Sequence, residues 1–235
     1  MRVKLLAVLN KLIVVLWVFS LPLFIVSNTV CFVVDSFGLY KYGFNKYHIG
    51  ETTGISNDQL DTVAQRMIEY YDGKIPSPQL TVTTSKGNFS LYSEKELIHL
   101  EDVRKIIEMF KNMQLVTFLM LIMLGIILFI RTGLFQLLKA LRLGSIILLV
   151  FMSVLITWSL IDFDSIFLLF HLVSFNNNLW LLDPSKDYLI MMFPEGFFYD
   201  AAILITSAII IQAVVLCIPA FLLKGVKGTK PTNAN

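Results

Sequence analysis

This sequence predicts an α-helical integral membrane protein: four transmembrane helices, a small α+β extracytoplasmic domain and an interfacial or re-entrant helical segment. Composition is the first reason. Of 235 residues 56% are hydrophobic and only 15% charged, and the mean hydropathy is +0.73, which is not the balance of a soluble domain. The second reason is four charge-poor apolar runs near the length of about 20 residues that crosses a hydrocarbon core. The third is where the basic residues fall: at the N-terminus, in one short internal stretch, and at the C-terminus.

Taken in order, Met1 to Lys4 is basic and an apolar run follows to Val34. A signal peptide is the rival reading, but the run is long enough to span and no small-residue cleavage site closes it. Residues 1–34 are therefore expected to be a cytoplasmic N-terminus and a first span, kinked at Pro22. Residues 35–111 change to the character of a water-facing domain. Leu60, Val63, Ala64, Met67 and Ile68 form one stripe of a helix over Asp58–Asp72, stopped by Gly73 and Pro76. Leu80–Thr83 and Asn88–Tyr92 flank Ser85-Lys86-Gly87 and predict a β-hairpin. Ser93-Glu94-Lys95-Glu96 reads as a capping box. It opens an amphipathic helix to about Phe110, with Leu97, Leu100, Val103, Ile107 and Phe110 on one side. Such a helix is expected to rest flat on the bilayer.

Residues 112–131 are the second span, 132–142 a cytoplasmic loop with Arg131, Lys139 and Arg142 about it, and 143–161 the third span. Residues 162–200 form an extracytoplasmic interfacial segment, 201–223 the fourth span, and 224–235 a tail holding Lys224, Lys227 and Lys230. The positive-inside rule puts both termini and the 132–142 loop in the cytoplasm. Residues 35–111 and 162–200 then share the outer side, which the parity of four spans also requires.

Several function classes fall away. A net charge of +2 and no basic run argue against nucleic acid. Cys31 and Cys217 are far apart in apolar runs, without metal-ligand spacing or a partner that would activate a thiolate, so they read as small core residues. There is no Gly-rich phosphate loop, HExxH or GxSxG, so no cofactor, metal or serine acyl-enzyme is signalled.

The chemistry-bearing stretch is Phe167–Asp200, FLLFHLVSFNNNLWLLDPSKDYLIMMFPEGFFYD. It is as apolar as a span yet too interrupted to be one, and polar groups held at membrane depth mark functional sites. All three histidines fall on the outer side. His48 reads as a surface residue. His99 has Glu96 at i−3 and Asp102 at i+3, either able to hydrogen-bond one ring nitrogen and hold its tautomer, although helix surfaces carry such pairs routinely. His171 sits among Phe167, Leu168, Phe170 and Leu172, where a charged ring is disfavoured; from the residues alone it is as readily a structural histidine. Asn176, Asn177 and Asn178 read as a turn closing the interfacial helix or as oxyanion donors. Trp180 fits an interfacial anchor. Asp183-Pro184 and Pro194-Glu195 read as helix starts.

Two motifs carry a resemblance. Glu94-x-Glu96-x-x-His99-x-x-Asp102-Val103-Arg104 is the first. The second is Phe170-His171-x-x-x-Phe175-x-Asn177-Asn178-x-Trp180-x-Leu182-Asp183-Pro184, followed by Phe193-Pro194-Glu195-x-Phe197-Phe198. Together they resemble the Lit family, the lipoprotein intramolecular transacylases of Gram-positive bacteria. The likeness covers essentially the whole chain. It implies an acyltransferase whose essential histidines are His99 and His171, acting without cofactor or metal at the outer leaflet of the cell membrane. The implied partners are membrane lipid and diacylglyceryl-modified bacterial lipoproteins, whose sn-2 acyl chain moves onto the α-amino group of their own N-terminal cysteine. The lyso-form product is one that innate immune receptors detect less readily. A monomer is expected.

The residue types suit that reaction. An α-amine of pKa near 8 is about a tenth neutral at pH 7, so supplying it costs only about 1.4 kcal/mol. The remaining work is proton transfer and oxyanion stabilisation, with one histidine as base and the other as donor; the sequence leaves open which is which, and whether an acyl-histidine forms. Asp102 is the candidate to orient His99. Two other classes are kept open: a zinc-dependent membrane hydrolase using both histidines and a carboxylate, and a non-enzymatic membrane assembly or transport subunit. Scarce ionisable residues at the span centres speak against transport.

Overall fold

The computed structural model describes residues 2–226, with side-chain surroundings for residues 6–219. Lys227 and Lys230 lie outside the described residues. The elements run α1 (Arg2–Val34), α2 (Phe37–Lys46), α3 (Ile49–Thr53), α4 (Asn57–Tyr71), β1 (Thr81–Thr84), β2 (Gly87–Ser90), α5 (Glu94–Thr132), α6 (Leu134–Ile161), α7 (Phe163–Ser174), α8 (Tyr188–Met192) and α9 (Glu195–Val226). Four helical stretches are long and apolar enough to cross a membrane: Leu6–Val34, Glu94–Thr132, Leu134–Ile161 and Glu195–Pro219.

Two compact units divide the chain. One comprises residues 1–29, 112–156 and 206–235. Its helices meet through small residues and half-buried side-chain amides. A Cβ on Gly144 would come within 2.9 Å of the Val18 carbonyl, so α1 and α6 approach too closely for a larger residue. Trp17 donates its indole N–H to the Leu121 carbonyl, Gln114 to Asn28, and Gln212 to Thr29. Leu148, Ile209 and Ala213 are fully buried here.

The second unit comprises residues 30–111 and 157–205. The stripe foreseen on α4 is its centre: Leu60, Val63, Ala64 and Met67 are buried together with Tyr40, Ile49, Val82, Leu91, Met192 and Phe193. β1 and β2 pair antiparallel, Thr81 opposite Ser90 and Thr84 opposite Gly87, so the two-residue turn is Ser85-Lys86. Gly87 supplies the positive φ (+108°) beside it. α2 lies so close to α9 that a Cβ on Gly43 would overlap the Phe197 ring.

Three expectations are corrected. The helix opened at Ser93 does not stop near Phe110 and lie flat. Its apolar stripe, Leu97, Leu100, Val103 and Ile107, packs into the core of the second unit, and the helix continues unbroken into the charge-free stretch 112–130. No Gly or Pro stands at 111–113 to end it. Nor is 132–142 a loop. Gly133, with φ +79°, is the sole break between α5 and α6, and residues 134–142 are helical. Asp183-Pro184 opens a turn, because the Asp183 carboxylate accepts from the Ser185 backbone and hydroxyl and its carbonyl from the Lys186 and Asp187 N–H groups. The helix waits until Tyr188. Pro194-Glu195 does start α9.

Candidate active site

The site is built within the second unit from α5, α7 and the loop after it. α5 begins on a closed capping box. The Ser93 backbone N–H and hydroxyl both donate to Glu96 Oε2 at 2.7 Å, and Ser93 Oγ accepts from the Glu96 N–H at 3.4 Å. Glu96 is only 2% exposed, and its other oxygen accepts from the Leu189 N–H at 2.7 Å. One carboxylate thus caps α5 and ties it to the first turn of α8. Lys95 adds a bond to the Leu181 carbonyl at 2.6 Å.

His99 follows one turn later, 7% exposed, with its ring edge-on to Phe175 at 5.0 Å. Its Nδ1 is buried and has no hydrogen-bond partner among the described residues. Burial, and then the neighbouring His171, push its pKa down to about 4, against an opposing pull from Asp102. At neutral pH this imidazole is uncharged. Neither carboxylate expected to orient it does so: Glu96 serves Ser93 and Leu189, while Asp102 accepts from Asn177 Nδ2 at 2.8 Å and from Lys105 at 3.2 Å. Helix spacing permitted the His99–Asp102 bond, but a better donor arrives from 75 residues away.

α7 is capped by Asp162, which accepts from the Ser165 backbone N–H and hydroxyl. His171 lies in its last turn, 8% exposed. Its Nδ1 is 2.7 Å from the Phe167 carbonyl oxygen. A carbonyl only accepts, so Nδ1 carries the proton and, in the neutral ring, Nε2 carries the lone pair. Burial lowers this pKa below the ordinary histidine value, and the carbonyl opposes the shift. Four aromatic rings surround the imidazole: Phe167 at 4.3 Å, Trp180 at 4.8 Å, Phe170 at 5.4 Å and Phe175 at 5.6 Å.

Phe175 therefore touches both imidazoles, whose centroids are no farther apart than the sum of its two contact distances. The loop beyond it is a turn held by Asn177, whose Oδ1 accepts from the Leu179 N–H at 3.0 Å. Asn176 and Asn178 are exposed, and their side chains make no hydrogen bond among the described residues. Trp180 is a wall of the His171 cage. Sequence reasoning named Phe167 beside His171 and Phe175 within the second motif but gave neither ring a part in the site, and it did not foresee the Glu96–Leu189 bond. The four-residue step Phe167, His171, Phe175 was the available signal for the first two. Among the described residues no three His, Cys, Asp or Glu side chains converge as metal ligands.

The chain is similar to known proteins over nearly its whole length. A solved structure of the membrane integral lipoprotein intramolecular transacylase Lit from Bacillus cereus matches with a TM-score of 0.79 at 24% identity, over 95% of this chain and 100% of that one. A form of the same protein with one histidine changed to alanine matches with a TM-score of 0.77 at 23% identity, over 97% and 100%. A form with a histidine changed to arginine gives 0.76 at 23%, over 96% of each chain. These likenesses show the fold. No curated protein matches by sequence. The family profile described as "Lipoprotein intramolecular transacylase Lit" matches residues 15–198. That range holds both histidine-bearing elements, and the chain, an integral membrane protein with four spans, belongs to the Lit family of lipoprotein intramolecular transacylases.

Proposed function

We propose that this acyltransferase moves the sn-2 acyl chain of a diacylglyceryl-cysteine N-terminus onto the α-amino group of the same cysteine, with His171 as base and His99 as hydrogen-bond donor. The observation that carries the assignment is the unequal preparation of the two rings. His171 commits Nδ1–H to the Phe167 carbonyl, which leaves Nε2 as acceptor and supports positive charge when the ring takes a proton. His99, with its pKa near 4, is a poor base. A neutral imidazole is nonetheless a good N–H donor to a developing oxyanion, because its own lack of charge avoids a desolvation cost.

The neutral amine attacks the ester carbonyl, and the C–N bond forms as the C=O electrons move to oxygen. His99 donates to that oxyanion. His171 Nε2 takes the proton from the attacking nitrogen and returns it to the glycerol oxygen as the C–O bond breaks. No proton is gained or lost overall. Intramolecular attack lets proximity contribute several kcal/mol, and aromatic walls keep competing water from the acyl carbon.

A histidine role is supported by the two solved forms of the Bacillus cereus protein in which one histidine is replaced. Arg131 and Arg142, with the basic termini, support cytoplasmic ends and an outer-leaflet site. We take the enzyme to act as a monomer, because every group in the scheme comes from one chain. Mass spectrometry of lipoprotein N-termini from cells with and without the protein tests the reading. N-acyl, monoacylglyceryl termini present only with the protein are expected, and an unchanged acylation pattern defeats it.

A further inference from the structure

Asp102 stands beside His99 on α5 yet makes no bond to it. One of its oxygens accepts from Asn177 Nδ2 at 2.8 Å and the other from Lys105 at 3.2 Å. The Asn177 bond is the principal reason its carboxyl titrates below the usual range. The same Asn177 amide uses its oxygen to hold the Leu179 N–H, so a single side chain both shapes the turn and anchors it to α5. Phe175 lies two residues before Asn177 and Trp180 three after. Both rings lie against His171, and Phe175 also against His99. Lys95 fixes the chain again at Leu181.

We infer that Asp102 is a positioning residue for His171, acting through Asn177 as a clasp that seats Phe175 and Trp180 on the imidazole, rather than the residue that orients His99. Asp102 touches no reacting atom in this scheme. The inference rests on the transacylase reading for its rate readout only, since the packing of Trp180 can be measured without turnover.

The test uses the full chain in proteoliposomes with a diacylglyceryl lipoprotein as substrate. Asp102→Ala and Asn177→Ala are each expected to lower kcat about tenfold with little change in KM, because the reacting groups are loosened rather than removed. The double variant is expected to be no worse than either single one, since both break the same bond. Asn177→Asp sets two carboxylates face to face and falls further, and adding Asp102→Asn restores a carboxylate–amide pair and returns the rate to within about threefold of the parent. That recovery reports the pair even if Asn177→Asp alone folds poorly. In a Trp17→Phe, Trp158→Phe background only Trp180 emits, and acid quenches it as the imidazole beside it becomes charged. Asp102→Ala is expected to weaken that quenching. Multiplicative losses in the double alanine variant, no recovery in the exchanged pair, and unchanged quenching would each overturn the clasp. A parent enzyme that forms no N-acyl product would instead defeat the transacylase reading and leave the fluorescence result standing.

Discussion

His99 and His171 are buried to the same degree, 7% and 8% exposed, and both touch Phe175, yet their surroundings differ in what they offer each ring nitrogen. His99 stands early on a 39-residue helix and has a buried Nδ1 that no group among the described residues satisfies. His171 ends a 12-residue helix whose own backbone engages Nδ1, inside a cage of rings. Burial alone therefore does not assign a role. What distinguishes the two is whether Nδ1 is engaged.

The hardest blow to this contrast comes from His171→Asn, expected to lower the rate at saturating substrate about a thousandfold, within the range for losing a general base. His99→Asn keeps a donor of different reach and is expected to lose about a hundredfold, as for one oxyanion donor. Equal losses would erase the distinction, and full activity in either variant would remove that residue from the mechanism. Glu96→Ala acts on the frame that holds His99. It strands the buried Leu189 N–H and opens the capping box, and is expected to destabilise the protein by about 2–3 kcal/mol, read as a lower unfolding midpoint in detergent.

The subtlest prediction concerns pH. In the proposed scheme His171 acts as a neutral base, and burial holds its pKa below 6.5, so the loss of rate through its protonation should lie below pH 6.5. Above it the rate should rise toward pH 8 as the substrate amine loses its proton. Stability follows both rings, since burial lowers both pKa values, and His99 carries the larger share. The unfolded chain protonates His99 near 6.5 while the folded protein resists until about 4, so stability is expected to fall as pH drops across that window and to hold steady above it. Replacing His99 should reduce that slope and leave the part due to His171, and an unchanged slope would mean that its environment is wetter than its burial implies.

Much of this was readable in the chain before any fold was known. Apolar run length and the basic clusters delivered four spans, and Ser93 and Glu96 announced their capping box through local spacing alone. The second use of Glu96 was not readable, because its partner Leu189 is 93 residues away. Asp102 shows the same limit from the other side: an i+3 neighbour is close enough to His99, but closeness does not decide a competition that Asn177 enters from a distant loop. The end of the amphipathic helix was misplaced because Lys111 and Asn112 look like a boundary in polarity, while a helix needs a breaker, not polarity, to stop. Asp183-Pro184 misled in the opposite sense, since its side chain closes a turn upon Ser185 before a helix can begin.

The shared carboxylate of Glu96 also has a consequence for assembly during synthesis. As the polypeptide is threaded into the bilayer from its N-terminus, Ser93 can meet Oε2 as soon as that turn forms, but Oε1 must stay hydrated until residue 189 has left the ribosome and folded back. The start of α5 is thus a seam closed late, and it seals only when nearly the entire chain has arrived.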